Sequence, residues 1–161
     1  MKHIKAIPLT STAFAPFGDV MDCTGNADQL INQGFCNRFH DRAALNFESG
    51  GRAGISLFHA KPRQIPYTLD LMERHPLGSQ AFIPMHQNPF LVIVAADQDG
   101  VPSMPNAFIT TAGQAINIHQ NVWHGVLTPL SDPGLFAVVD RIGDGTNLQE
   151  YSFGEPYVVD L

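Results

Sequence analysis

The stretch Tyr67-Thr68-Leu69-Asp70-Leu71-Met72-Glu73-Arg74-His75-Pro76-Leu77-Gly78-Ser79-Gln80-Ala81-Phe82-Ile83-Pro84 alternates apolar and polar residues, turns at Gly78 and resumes as a second apolar run. Alternation with a period of two predicts a half-buried strand. Successive strand side chains point to opposite faces, so Tyr67, Leu69, Leu71, Glu73 and His75 are expected to share one face. Three apolar residues mark that face as the buried one. Unpaired buried charge is costly, so Glu73 and His75 either pair with neighbours or form a site. Arg74 has the opposite parity and is expected outside any pocket.

A second stretch runs from Gly113 through Gln114-Ala115-Ile116-Asn117-Ile118-His119-Gln120-Asn121-Val122-Trp123-His124 to Leu127. It holds a glycine, a tight polar turn and a histidine opening another apolar run. The two stretches together predict facing strands of one small barrel, each delivering an imidazole to the interior.

The rest of the chain reads as short strands between turns. Residues 2–8 predict an opening strand ended by Pro8, and Thr10 or Ser11 caps a short helix running to Phe17, with Gly18 ending it. Asp19–Asp22 resumes as a strand. Residues 35–42 are extended and polar, as suits an edge or the wall of a wet cavity. Ala53–Ala60 is a cleaner strand, and Pro89–Ala96, the most apolar run, predicts a central buried one. Residues 97–105 form the longest loop. Short strands follow at 107–111 and 115–118, then a buried strand at 134–141 and a closing strand at 157–159.

With 161 residues, 44% of them apolar and 15% charged, the chain is long enough to bury a core as one domain over residues 1–161. Fourteen glycines and 12 prolines between short apolar runs predict an all-β barrel or jelly roll with a short N-terminal helix. A net charge of -6 excludes the basic face that nucleic acid requires. No apolar run is long enough to cross a bilayer as a helix, and the first residues lack the apolar core of a signal peptide. Cys23 and Cys36 are therefore expected as reduced thiols of a cytoplasmic protein.

Glu73-x-His75 followed by Gln80, and Gly113 followed by His124, resemble the paired motifs of the cupin superfamily. More closely, residues 73–84 and Asn121-Val122-Trp123-His124 resemble the signatures of the ureidoglycolate lyase family. Phe17-Gly18-Asp19, Arg38-x-His40-Asp41, Ala107-Phe108-Ile109 and Asp140-Arg141 resemble it too, so the likeness covers nearly the whole chain. Relatives often carry a second histidine and a proline after the second motif, where this chain has Gly125-Val126.

The resemblance implies a cupin-like barrel, cytoplasmic and homodimeric, that eliminates urea from (S)-ureidoglycolate and leaves glyoxylate, in allantoin breakdown. That chemistry needs a base for the hydroxyl proton, an acid for the departing nitrogen and a grip on the carboxylate. His75 and His124 suit the proton work, Glu73 orients or recharges one of them, and Gln80 suits the ureido group in either polarity. Arg38 and Arg141 are the candidates for the carboxylate, because a guanidinium grips it in a two-point fork. No cofactor is expected to be required. A weakly bound nickel, manganese or zinc ion would sit on Glu73, His75 and His124.

Blander readings stand beside these. His75 before Pro76 suits a strand end bonded to a carbonyl, Trp123 suits a core wall, and Asp140-Arg141 is equally a structural ion pair. His40-Asp41 fits an ordinary surface pair, and His3, His59, His86 and His119 have no companion pattern. Other functions for the same residues are a metal-dependent cupin enzyme, a non-catalytic binder of small carboxylates, and an amidohydrolase releasing ammonia.

Overall fold

A computed structural model describes residues 1–161 and is nearly all β. The expected opening strand divides at Ala6 into β1 (Lys2–Lys5) and β2 (Ile7–Pro8). The helix α1 spans only Ser11–Phe14, capped by Thr10, whose hydroxyl accepts from the Ala13 N–H at 3.2 Å. It stops short of Pro16, which has no N–H to continue the ladder. Then come β3 (Gly18–Met21), a hairpin of β4 (Gln29–Ile31) and β5 (Cys36–Arg38), and the long β6 (Gly51–His59). β7 (Tyr67–Arg74), β8 (Gln80–Pro84) and β9 (Phe90–Ala95) follow. The expected loop after them holds a tiny hairpin of β10 (Asp97–Gln98) and β11 (Val101–Pro102). The chain closes with β12 (Asn106–Ile109), β13 (Ala115–Ile118), β14 (Trp123–His124), β15 (Thr128–Pro129), β16 (Leu135–Gly143) and β17 (Gln149–Asp160).

Two sheets carry the fold. The first has the order β1-β17-β7-β14-β9-β12-β2, with β15 also on β9. Its first and last strands are separated in sequence by Ala6 alone, whose N–H donates to the Asp160 carbonyl at 2.7 Å. The chain thus bridges both ends, and the sheet curls nearly shut like a barrel. The second sheet, β3-β13-β8-β16-β6, lies against one face of the first. Phe82, Phe136, Ile116 and Val138 from the second sheet meet Phe90, Val92, Val94 and Phe108 from the first in one apolar cluster. Leu91, Ile93 and Ala95 join a second cluster on the other side of β9, with Tyr67, Leu69, Trp123 and Val159. Both faces of β9 are buried, which is why its sequence is uniformly apolar rather than alternating.

The expected alternation in β7 does not hold throughout. Tyr67, Leu69 and Met72 share one cluster, so the inward face changes parity before Met72. The slip lies opposite an irregularity in β17, where the register jumps between Ser152 and Tyr157. Glu73 consequently lies on the face opposite the Tyr67–Leu69 cluster, not in line with it. The closing strand is also far longer than the expected 157–159, because Gly154-Glu155-Pro156 sits within its irregular middle.

Residues 44–49 form a strap over the outer face of the second sheet. The Ala44 N–H donates to Asp19 Oδ2 at 2.9 Å, Asn46 exchanges bonds with Ser79, and the Glu48 N–H donates to the Leu77 carbonyl at 2.8 Å. Asn117 and His119 complete the anchor on Asp19. At Gly18 a β-carbon would lie 1.9 Å from the Asn117 carbonyl oxygen, so only glycine permits β3 to approach β13 this closely.

Candidate active site

Two crossovers connect the sheets at the same end. Residues 75–79 carry the chain from β7 to β8, and residues 119–122 return it from β13 to β14. They are stitched together: the Asn121 N–H donates to the His75 carbonyl at 2.9 Å, and Gln120 Nε2 donates to the Pro76 carbonyl at 2.6 Å. Asn121 has φ 64, a left-handed turn conformation that asparagine tolerates. The polar turn in the second sequence stretch therefore has a mechanical task, to seat the crossover that carries His75.

Face assignments follow from register. His124 pairs with Val94 on one side and Glu73 on the other, and cross-strand partners share a face. Val94 belongs to the cluster between the sheets, so His124 and Glu73 face that interior. On the opposite wall, Gln80 lies two residues from Phe82, and Asp140 lies two from Val138. The interior end is thus lined by Glu73, His75, His124, Gln80 and Asp140.

The imidazoles of His75 and His124 have centroids 5.1 Å apart with planes at 38°. One ligating atom from each of Glu73, His75 and His124 lies within 4.8 Å of the other two. His75 Nδ1 is 2.7 Å from the Asn147 carbonyl, and His124 Nδ1 is 3.0 Å from the Gly125 carbonyl. Carbonyls only accept, so both Nδ1 atoms carry a proton, and in the neutral imidazole Nε2 is the atom left with a lone pair. Those two Nε2 atoms and Gln80 Oε1 are buried without a partner, a costly condition that suits atoms kept for a ligand. Burial drives the His124 pKa down to about 4, with the neighbouring His75 adding to the fall and the Gly125 carbonyl opposing it. Glu73 is shifted the other way. Burial raises its pKa, His75 pulls it back, and Glu150 across the β7–β17 pairing pushes it further up.

The two arginines do not join this group. Arg141 follows Asp140 on β16 and so projects from the opposite face of the sheet. Its guanidinium bonds the carbonyls of Glu48, Ser49 and Asp144 at 3.3, 3.4 and 3.0 Å, which ties down the strap. Three of its five N–H donors are thus committed to backbone carbonyls on the face away from the imidazole pair. Asp140 and Arg141 are not an ion pair either, since Asp140 bonds Gln80 inside. Arg38 lies exposed on the β4–β5 hairpin, with no side-chain bond to the group. Arg74 is outside as expected, 4.4 Å over the Trp123 ring and bonded to Asp97 and Gln149.

Asn147 escaped the sequence reading. Its carbonyl holds His75 Nδ1, while its side-chain oxygen accepts from the Leu77 N–H at 2.7 Å. A polar residue after Gly143-Asp144-Gly145 reads only as turn chemistry, and no spacing ties it to residue 75.

Residues 1–160 match the family model described as ureidoglycolate lyase. The chain belongs to the ureidoglycolate lyase family. Among curated relatives, a ureidoglycolate lyase of Rhodobacter capsulatus is 58% identical over 160 residues, covering 99% of each chain. One from Chelativorans sp. is 49% identical over 164 residues, covering 100% of this chain and 98% of that protein. A third, ureidoglycolate lyase 2 of Rhizobium meliloti, is 51% identical over 156 residues, covering 95% and 94%. The family's barrel here is built from a nearly closed sheet and a second sheet laid on it, with the imidazole pair at their common end.

Proposed function

We propose that this protein is a ureidoglycolate lyase that splits ureidoglycolate into glyoxylate and urea, as the names of its relatives imply. The observation that carries the reading is the pair of buried imidazoles, each with Nδ1 committed to a carbonyl and Nε2 free, beside a carboxylate whose pKa is raised. Ureidoglycolate is a hemiaminal. One group takes the hydroxyl proton, the C–O bond becomes a carbonyl, the C–N bond breaks and a second group protonates the departing nitrogen. His75 and His124 handle these protons in this reading: one takes the hydroxyl proton on its free Nε2, and the other, charged at Nε2 by a proton from Glu73, passes it to the departing nitrogen, after which the hydroxyl proton returns to Glu73. Each well-placed acid or base contributes about 10²–10⁴-fold.

The same three donors fit a divalent ion such as nickel, manganese or zinc, because two imidazole nitrogens with backbone-anchored Nδ1 atoms are the usual preparation for one. When bound, such an ion supplies positive charge for the substrate carboxylate and hydroxyl, which no free guanidinium provides. With three protein donors and Gln80 held by Asp140, we expect it to bind weakly, and an imidazole nitrogen that holds it is withdrawn from the proton work.

We further propose a cytoplasmic homodimer. The free thiols Cys23 and Cys36 suit a reducing compartment. No helix is long and apolar enough to cross a membrane. Ile55 and Leu57 on the nine-residue edge strand β6 and Ile83 on β8 stand exposed on the outer face of the second sheet, and a second copy would cover them.

The test is to incubate purified protein with ureidoglycolate and assay urea, glyoxylate and ammonia together. Urea and glyoxylate in equal amounts are expected. Ammonia without urea makes the protein an amidohydrolase and overturns the lyase reading.

A further inference from the structure

Gln80 is 5% exposed and bonds one partner, donating from Nε2 to Asp140 Oδ2 at 3.2 Å. Its Oε1 is buried with no partner. A carboxamide viewed alone has no fixed polarity, because oxygen and nitrogen exchange on a half turn. Asp140 removes that freedom: a carboxylate accepts and does not donate, so only the nitrogen can face it. The oxygen is then held toward the interior that Gln80 and Asp140 share with His124 and Glu73.

We propose that Asp140 is a positioning residue that locks the Gln80 carboxamide with its oxygen toward the substrate, and that this oxygen selects a ureido N–H edge. The inference rests on the ureidoglycolate reading and makes it more specific. The lining of the site supports it. His75 Nε2, His124 Nε2 and Gln80 Oε1 are all unpartnered acceptors, and Glu73 is a carboxyl group. A wall of acceptors favours a ligand rich in N–H donors. Of the two ends of ureidoglycolate, the urea end has three N–H bonds and the acid end has none. The Gln80 oxygen therefore fixes which way round the substrate lies, urea group toward β8 and carboxylate away from it. The same oxygen penalises ligands that would place a second acceptor there.

Asp140→Asn keeps the shape of the pair but offers an NH₂ group, which lets the carboxamide turn and present nitrogen to the ligand. The probes are oxalurate, a ureido acid with no hydroxyl to deprotonate, and glycolate, the hydroxy acid without the ureido group. Affinities are read by NMR titration. Asp140→Asn is expected to weaken oxalurate about ten- to a hundred-fold, the usual effect of losing a buried hydrogen-bond partner, and to leave glycolate within about three-fold. The double variant Gln80→Glu with Asp140→Asn exchanges the two groups. The amide at 140 donates to the carboxylate at 80, whose second oxygen again faces the ligand, so oxalurate affinity is expected to recover. Equal losses for both probes, or no recovery in the double variant, overturn the inference. Wild-type protein that fails to turn over ureidoglycolate yet shows this pattern defeats the lyase reading and leaves the assignment of the Gln80 oxygen standing.

Discussion

Acidification provides a direct thermodynamic test of the buried imidazole. His124 is 1% exposed and its pKa falls from 6.5 to about 4 on burial. Between those values the unfolded chain binds a proton at this site and the folded chain does not. Stability therefore rises with pH across the window: it is fully present above about 6.5 and is lost as pH falls toward about 4. At 1.36 kcal/mol per pKa unit, the largest loss is about 3.4 kcal/mol, and about 2 kcal/mol of it falls between pH 7 and pH 5. For a chain of this size that corresponds to a drop in Tm of roughly 4–8 °C. Glu73 acts with the opposite sign, because its folded pKa is raised: its contribution is present at low pH and fades as pH rises through the folded value. His75 and Glu150 also face this group, so the difference between two proteins isolates the effect better than either profile alone. The assay is guanidinium unfolding of wild type and His124→Gln in chelator at pH 7, 6 and 5. Wild type should lose about 2 kcal/mol more than the variant across that range. Parallel profiles would refute the argument that burial holds His124 neutral.

Other outcomes follow from the same geometry. His75→Ala and His124→Ala are each expected to lower kcat for glyoxylate release at least about 10²-fold while the far-ultraviolet spectrum is retained; loss below ten-fold in both would remove the imidazoles from the proton work. Protein stripped with chelator is expected to keep its turnover, because the metal-free imidazoles do the proton work. Complete loss on stripping would make the histidines ligands only, since a nitrogen that holds an ion cannot also carry a proton. Arg141→Met should cost about 2 kcal/mol of stability by releasing the strap, and should leave KM for ureidoglycolate within about two-fold. A ten-fold rise in KM would return Arg141 to the substrate carboxylate.

What the sequence disclosed, and what it hid, divides along a physical line. Strand patterning, turn glycines and the two histidine stretches were legible because each is a local property of the chain. The run Phe90–Ala95 announced its burial on both faces through composition alone. The convergence of Glu73, His75 and His124 was legible only through the resemblance between the two stretches and known paired motifs. Strict alternation from Tyr67 would place Glu73 with Leu69, whereas the parity change before Met72 turns it toward the other sheet. An irregularity in a partner strand some eighty residues away leaves no mark on the sequence of β7 itself. The placement of the arginines was hidden for a related reason. A guanidinium that satisfies three backbone carbonyls has the same sequence appearance as one that awaits a substrate.

That distinction bears on how such a site is completed. All the side chains brought to the interior end are acceptors or acids, and the one carboxamide has its donor group turned away toward Asp140. A substrate with one anionic and one donor-rich end then meets unequal surroundings. In the orientation proposed above, its urea group meets lone pairs on both walls, whereas its carboxylate meets no fixed cation. The chain thus reads as a binder of the leaving group first. The energy of holding urea's N–H groups is available while the C–N bond lengthens, and the carboxylate is left for solvent or a loosely held ion. Were a variant that adds a cation beside His124 to improve kcat in metal-free protein, that division of labour would be wrong.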